Sequence, residues 1–202
     1  MKGLVYNLSG RLYDFLDEPF EKKRYTKIRK KMLSNIKGTV LEVGCGTGRN
    51  FTHYSANVTV TAIDKSKNML EIAKKRMEFS KAKIHLRKEN ITKINSLDNT
   101  YDNIVATFVL CVLPKKIEEQ ALNELIRVAK LEATFYFLEY VYSKNKLRKF
   151  TMIITSFIPK ILYGIRFNST SSLIQKNKFL EIVKQEFLHD DVIRLIVAKK
   201  IK

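Results

Sequence analysis

The stretch Val40 to Asn50, VLEVGCGTGRN, constrains this chain more than any other. It is a short β-branched strand, then glycines at 44, 46 and 48, then the start of a helix. Glycine at a strand-to-helix turn takes φ values that other residues avoid, and the missing Cβ lets a ligand approach the backbone. A dinucleotide loop would read GxGxxG, but Arg49 stands where its third glycine would be, so the spacing is GxGxG. The turn is therefore shaped for a close ligand other than a dinucleotide pyrophosphate, which favours a row of backbone N–H groups at a helix N-terminus.

Around this turn strand and helix alternate. Asp17 to Met32 spaces Phe20, Tyr25, Ile28 and Met32 among seven basic residues between Lys22 and Lys31, which predicts an amphipathic helix with Pro19 in its first turn. Strands are expected at 39–43, 57–63 and 83–88, within 101–113, and at 133–141. Helices are expected at 69–79, after Ser66, and at 117–130, with Leu122, Leu125, Ile126 and Ala129 on one face. A basic and apolar helix is expected over 144–157, broken by Pro159 and Gly164, and another over 172–181. Strands at 182–188 and 192–199 close the chain through the tight segment His189 to Asp191, so the last should run antiparallel. This order predicts an α/β fold with a mostly parallel sheet covered on both faces. At 202 residues a single domain can bury its own core without staples.

Composition narrows the classes further. With 45% hydrophobic and 29% charged residues, seven Gly and three Pro, the chain is neither collagen-like nor a disordered linker. Cys45 and Cys111 form no disulfide framework and no zinc spacing, so neither a metal nor a disulfide is expected. The N-terminus reaches Arg11 and Asp14 before any secretory core develops, and the longest apolar run, Ile104 to Pro114, falls short of the roughly 20 residues of a membrane helix. A cytoplasmic protein is expected. The net charge of +18 invites a polyanion or an anionic membrane. Because 28 of the 38 basic residues are lysines scattered over most elements, a compositional bias is the simpler reading.

Two further strand ends join the turn. Asp64, twenty residues past Gly44, ends the second strand, where a carboxylate can accept from two ribose hydroxyls; the bland alternative is a helix cap before Ser66. Asn90 and Ile91 follow the third strand, where a side-chain oxygen and a backbone N–H can meet an adenine edge. With ExGxGxG at Glu42 to Gly48, AIDKSKNML at 62–70, NITKI at 90–94, YDNIVATFVLCVLP at 101–114 and LNELIRVAK at 122–130, the chain resembles the class I S-adenosylmethionine-dependent methyltransferases, in their small quinone-biosynthesis-like branch.

The resemblance covers nearly the whole chain and implies one Rossmann-like domain over 1–202: a seven-stranded sheet, an N-terminal helical cap at 1–36 and a helical insertion at 142–181 over the active site. It implies S-adenosyl-L-methionine as methyl donor and S-adenosyl-L-homocysteine as product, with no metal. The implied cofactor contacts are Glu42, Gly44, Cys45, Gly46, Gly48, Asp64, Lys65, Met69, Asn90, Ile91 and Thr107. The chain departs from the family pattern at Asn90, where Asp is frequent, and at VAKLEATF, which replaces a Pro-Gly-Gly turn.

For the acceptor, the segment TFVLCVLP lacks the (D/N/S)PP(Y/F) motif of adenine amine methylation, and Cys111 follows Leu110 rather than the proline of a cytosine nucleophile. Specific nucleic acid is not expected. Ala106 to Pro114 and FLEYVYS at 137–143 look similar to small thiol methyltransferases and to phospholipid or quinone methyltransferase-like proteins. Sulfide or a small thiol is the leading small-molecule acceptor. A phospholipid amine or quinol at a membrane surface is the alternative, and a non-catalytic cofactor- or RNA-binding module is the reading of another class. Acceptor-side candidates are Tyr6, Tyr13, Cys111, Glu139 and Tyr140. The tyrosines at 6 and 13 serve either as a lid or as core, and Cys111 either lines the pocket or packs. The mixed basic and apolar segment Lys144 to Arg166 either makes a peripheral membrane contact or covers the site with its lysines solvated.

Overall fold

The computed structural model describes residues 14, 18–19, 21–155 and 170–202. A π-helical turn, Glu21–Tyr25, leads into α1 (Thr26–Leu33), followed by β1 (Gly38–Val43), β2 (Val58–Asp64), α2 (Lys67–Met77), β3 (Lys83–Lys88), β4 (Tyr101–Thr107), α3 (Lys115–Val128) and β5 (Ala129–Tyr140). Then come α4 (Lys146–Thr155), α5 (Thr170–Gln175), β6 (Leu180–His189) and β7 (Ile193–Lys200). The seven strands form one sheet in the order β3-β2-β1-β4-β5-β7-β6. β1 to β5 pair in parallel, and β7 lies antiparallel between β5 and β6, as the tight closing turn requires.

The side-chain alternation of the strands divides the core in two. On one face Leu41, Val43, Ile63, Ile104, Phe135 and Phe137 pack under α3, whose Ala121, Leu122, Leu125 and Ile126 recur at helical spacing. On the other face Val40, Val60, Ala62 and Val105 pack against Ile28, Met32 and Leu33 of α1, Ala73 of α2, and Phe51 and Tyr54. Burying each such Leu, Ile or Phe is worth about 2 kcal/mol. Lys200 places its Nζ against the carbonyls of Ile126 (3.0 Å) and Ala129 (2.8 Å), meeting the orphan acceptors at the end of α3 with a cation.

Three local expectations change. Beyond the glycine turn there is only a single 3₁₀ turn, Phe51–His53, in place of the expected helix, because 46–50 coil into successive turns. Ala129 opens β5 instead of closing α3. The chain passes from helix to strand without a glycine, Glu132 taking φ 63° where the family has its Pro-Gly-Gly, and the β4–β5 register jumps from Tyr101↔Ala129 to Asn103↔Thr134. The helix expected at 172–181 ends at Gln175, and Leu180 and Glu181 already belong to β6. The break at Pro159 and Gly164 lies outside the described residues.

Among the described residues no helix joins β3 to β4; the loop between them is held on α3 by Arg127, which donates to the carbonyls of Ile94 and Ser96 at 3.0 Å each. The sheet face beside this loop carries a cleft of about 460 Å³ lined by residues that include Thr39, Thr59, Thr61, Arg87 and Tyr101. This cleft lies toward the amino ends of β1 and β2, away from the glycine turn.

Candidate functional site

The chain after β1 leaves to the face that holds Phe51 and Tyr54, whereas the chain after β4 leaves to the face that holds Leu110 and α3. The carboxyl ends of β1 and β4 therefore open a crevice at the point where the connections diverge, the place where open α/β sheets bind ligands. Gly44, Gly46 and Gly48 line the turn above β1 with φ of 58°, 54° and 79°. A Cβ on Gly44 would stand 2.6 Å from the Val109 side chain, and one on Gly48 would stand 2.5 Å from the Phe51 ring. Those two glycines serve packing as well as conformation. A Cβ on Gly46 would meet nothing within 4 Å, so its backbone borders open space that a ligand can fill.

Asp64 faces this turn from the end of β2. Its Oδ2 accepts the Gly46 N–H at 2.9 Å and its Oδ1 accepts the Ser66 N–H at 2.8 Å. Each oxygen keeps a further lone pair for an incoming hydroxyl. Burial pushes the carboxyl above its ordinary range, against the pull of those N–H groups. Ser66 caps α2 by accepting the Met69 N–H, so the cap and Asp64 occupy the turn together. The helix-cap role of this stretch falls to Ser66, and Asp64 braces the glycine turn.

Below the turn lies a buried polar chain. Glu42, 1% exposed, accepts from Asn50 Nδ2 at 3.0 Å and from the Tyr54 hydroxyl at 2.8 Å, and burial raises its carboxyl to about 7. Asn50 Nδ2 also reaches Thr107 Oγ1 at 3.1 Å, and Asn50 Oδ1 accepts from Arg29 Nη1 at 2.5 Å; Arg29 Nε in turn donates to Glu21. Glu42 and Thr107, expected from the resemblance, are thus tied to one amide side chain that joins β1, β4 and α1. Sequence reading missed Asn50, Tyr54 and Arg29. The available signal was Arg29 itself, a charge on the same helical stripe as Tyr25, Ile28 and Met32.

Arg49 secures the turn from outside. Its Nη1 donates to Glu18 Oε2 at 3.0 Å and its Nη2 to the Asp14 carbonyl at 3.0 Å. Arg76 on α2 donates to Asp14 Oδ2 at 2.7 Å and to the Thr47 carbonyl at 2.9 Å. The residue that breaks the dinucleotide spacing is therefore a strut that binds the N-terminal residues to the glycine turn.

The other expected residues are distributed unevenly. Cys45 is buried, its N–H extending the β1–β2 pairing to the Ile63 carbonyl at 3.1 Å, and burial pushes its thiol up. Met69, in the first turn of α2, is buried, Lys65 is exposed, and Ile91 is half-buried. Asn90 is exposed, with Oδ1 accepting the Thr92 N–H at 3.2 Å. Cys111 is buried in the one-turn helix Leu110–Val112. Tyr6 and Tyr13 lie outside the described residues.

At the ends of β4 and β5 an aromatic wall closes the crevice. Phe108 takes φ 57°, an unusual backbone for a bulky residue, and stacks on Tyr140 with ring centres 4.7 Å apart; Tyr25 of the π-turn lies 5.4 Å from Phe108 and touches the Tyr140 hydroxyl with its own. Glu139 points to the opposite face, 2% exposed. Its Oε1 pairs with Arg194, while its Oε2 is buried without a hydrogen-bond partner. Among the described residues no group of three or more His, Cys, Asp or Glu is placed to hold a metal ion.

Such a crevice has room for a ligand close to the backbone at Gly46, beside the Asp64 carboxylate. Residues 40–132 match the family described as "Methyltransferase domain". The human thiol S-methyltransferase TMT1A is 37% identical over 109 residues, which are 51% of this chain and 43% of that protein. The phosphatidylethanolamine N-methyltransferase of Cereibacter sphaeroides is 38% identical over 96 residues, 46% of each. The chain spans less than half the length of these two relatives. The fold is that of the N-methyltransferase NodS from Bradyrhizobium japonicum, crystallised with S-adenosyl-L-homocysteine, at TM-score 0.67 and 17% identity over 91% of this chain and 89% of that one. With the GxGxG turn, the acid ending β2 and the antiparallel seventh strand all in place, the chain carries a methyltransferase domain over 40–132 on the fold shared with S-adenosylmethionine-dependent methyltransferases.

Proposed function

We propose that the protein transfers the methyl group of S-adenosyl-L-methionine to sulfide or a small thiol. The observation that carries the donor half is the pairing of an open backbone at Gly46 with the Asp64 carboxylate directly across from it. The cofactor presents a zwitterionic end, a ribose diol and an adenine. Asp64 accepts from the diol, the glycine turn admits the chain beside it, and Asn90 with Ile91 borders the base.

The donor supplies an electrophilic methyl on a sulfonium: the thiolate sulfur forms a bond to that carbon, the old carbon–sulfur bond breaks, and its electron pair stays on the thioether product. The protein's part is alignment and exclusion of water. A thiol is already partly ionised near neutral pH, so its proton can leave to solvent and no strong base is required. The wall of Phe108 and Tyr140 offers such a nucleophile an apolar, polarisable surface, and the likeness to a thiol S-methyltransferase supports this acceptor. A phospholipid amine is the second reading, favoured by the likeness to a phosphatidylethanolamine N-methyltransferase.

Two measurements test the proposal. Calorimetry should find micromolar binding of S-adenosyl-L-methionine by the wild type, weakened at least tenfold in Asp64→Ala; wild-type protein that binds neither cofactor nor product would end the enzyme reading. Following formation of S-adenosyl-L-homocysteine with sulfide, methanethiol or phosphatidylethanolamine vesicles then separates the acceptors. Turnover only on vesicles would replace the thiol by the lipid amine.

A further inference from the structure

Helix α4 is built inside out. Leu147, Phe150 and Ile154 recur at i, i+3 and i+7, the spacing of one helical stripe, yet they are 74%, 60% and 60% exposed. The side turned toward the protein is the polar one: Arg148 donates to Asp191 Oδ1 at 2.6 Å, and only Met152 among the apolar side chains packs on the core. Exposed Lys144, Lys146 and Lys149 flank the apolar stripe. From Tyr140 to Leu180 the chain carries eight basic residues and no Asp or Glu. The helix begins six residues after Tyr140, so it stands at the acceptor end of the crevice.

We propose that this stripe is a docking surface for an anionic lipid bilayer, with Leu147, Phe150 and Ile154 entering the acyl boundary and the flanking lysines at the level of the headgroups. Two observations choose this occupant. An acid-free basic segment in a chain of net charge +18 is complementary to a negatively charged surface. A stripe of three large apolar side chains rimmed by lysines is the pattern of a helix that lies in the interface plane. The contact proposed is a peripheral one, and no described helix is long and apolar enough to cross a membrane. The surface is independent of which acceptor the crevice takes.

The test is flotation of the full chain with vesicles of phosphatidylcholine containing phosphatidylglycerol, against vesicles of phosphatidylcholine alone. The wild type should float with the anionic vesicles, and Phe150→Glu/Ile154→Glu should bind them at least tenfold more weakly while still binding S-adenosyl-L-methionine and eluting at the wild-type size. The chain has no tryptophan, so Phe150→Trp introduces a single indole whose emission should shift to the blue on anionic vesicles. Any of four results overturns the proposal: no vesicle binding by the wild type, equal binding by the double variant, bound protein whose indole stays in water, or loss of a wild-type dimer in the double variant. The last would make a second copy of the chain the occupant. A fifth result does so too: RNA that strips the protein from the anionic vesicles, with the indole unshifted throughout, assigns the basic segment to nucleic acid.

Discussion

Glu132 shows how much one residue can reveal about a departure in sequence. The family's glycine pair makes the turn after this helix cheap, whereas here a glutamate three residues into β5, where the register with β4 jumps, holds φ 63°. Left-handed backbone costs a residue with a Cβ about 1–2 kcal/mol. The ion pair of Glu132 with Lys199, 3.4 Å long with both side chains largely exposed, returns little of that. Glu132→Gly should therefore stabilise the fold by about 0.5–1 kcal/mol, after the added freedom of the unfolded chain is subtracted. Thermal denaturation should show the midpoint rise by about 2 °C, and an unchanged or lower midpoint would place the strain elsewhere. Glu42 makes the opposite use of a carboxyl. Burial raises it from near 4.5 to about 7, so the folded chain keeps a proton there that the unfolded chain has lost. The stability this group contributes is complete below about 4.5 and falls away as the pH climbs to about 7. Glu42→Gln can still accept from Asn50 and donate to Tyr54, so stability curves of the two proteins should converge at acid pH and separate toward neutrality, with the variant the more stable. Parallel curves would refute the buried titration.

At the scale of elements the glycine turn separates two duties that the sequence presents as one motif. Gly44→Ala forces a methyl against Val109 and should cost about 2 kcal/mol or more through packing and backbone together. Gly46→Ala meets only open space, so its cost to folding should be about 1–2 kcal/mol from φ alone, yet the methyl enters the room left for the cofactor. Denaturant unfolding beside calorimetry should find Gly46→Ala folded and deficient in S-adenosyl-L-methionine binding; normal binding would move the cofactor off this turn. The parallel strands, their succession along the chain and the placement of the turn and Asp64 were legible because buried strands read as apolar runs and glycine marks the turns. The short 3₁₀ turn after Asn50 was not, since Phe51 and Tyr54 fit either a helix or a turn that drops two aromatic rings into the core. Nor were Asn50 and Arg29 legible as partners of Glu42, because a polar chain linking three elements has no spacing of its own along the sequence.

For the whole molecule, the same sheet is covered unequally. Over β4, β5 and the carboxyl ends of β1 and β2 one face lies under α3, but toward the amino ends of β1 and β2 that face meets the loop pinned by Arg127, and there Thr39, Thr59 and Thr61 replace the larger aliphatic residues that line the rest. A half-covered sheet opens more readily, and amide protons report such opening directly. Exchange with deuterated water should therefore be faster along β2 and β3 than along β4 and β5, and S-adenosyl-L-methionine should slow it most in β2, where Asp64 sits. Uniform protection across the sheet would mean that the thin side is as rigid as the thick one. If the gradient is found, the donor half of the crevice tightens as it fills while the acceptor half is already formed, and the bare threonine face becomes the give in the fold that lets a small molecule enter and leave.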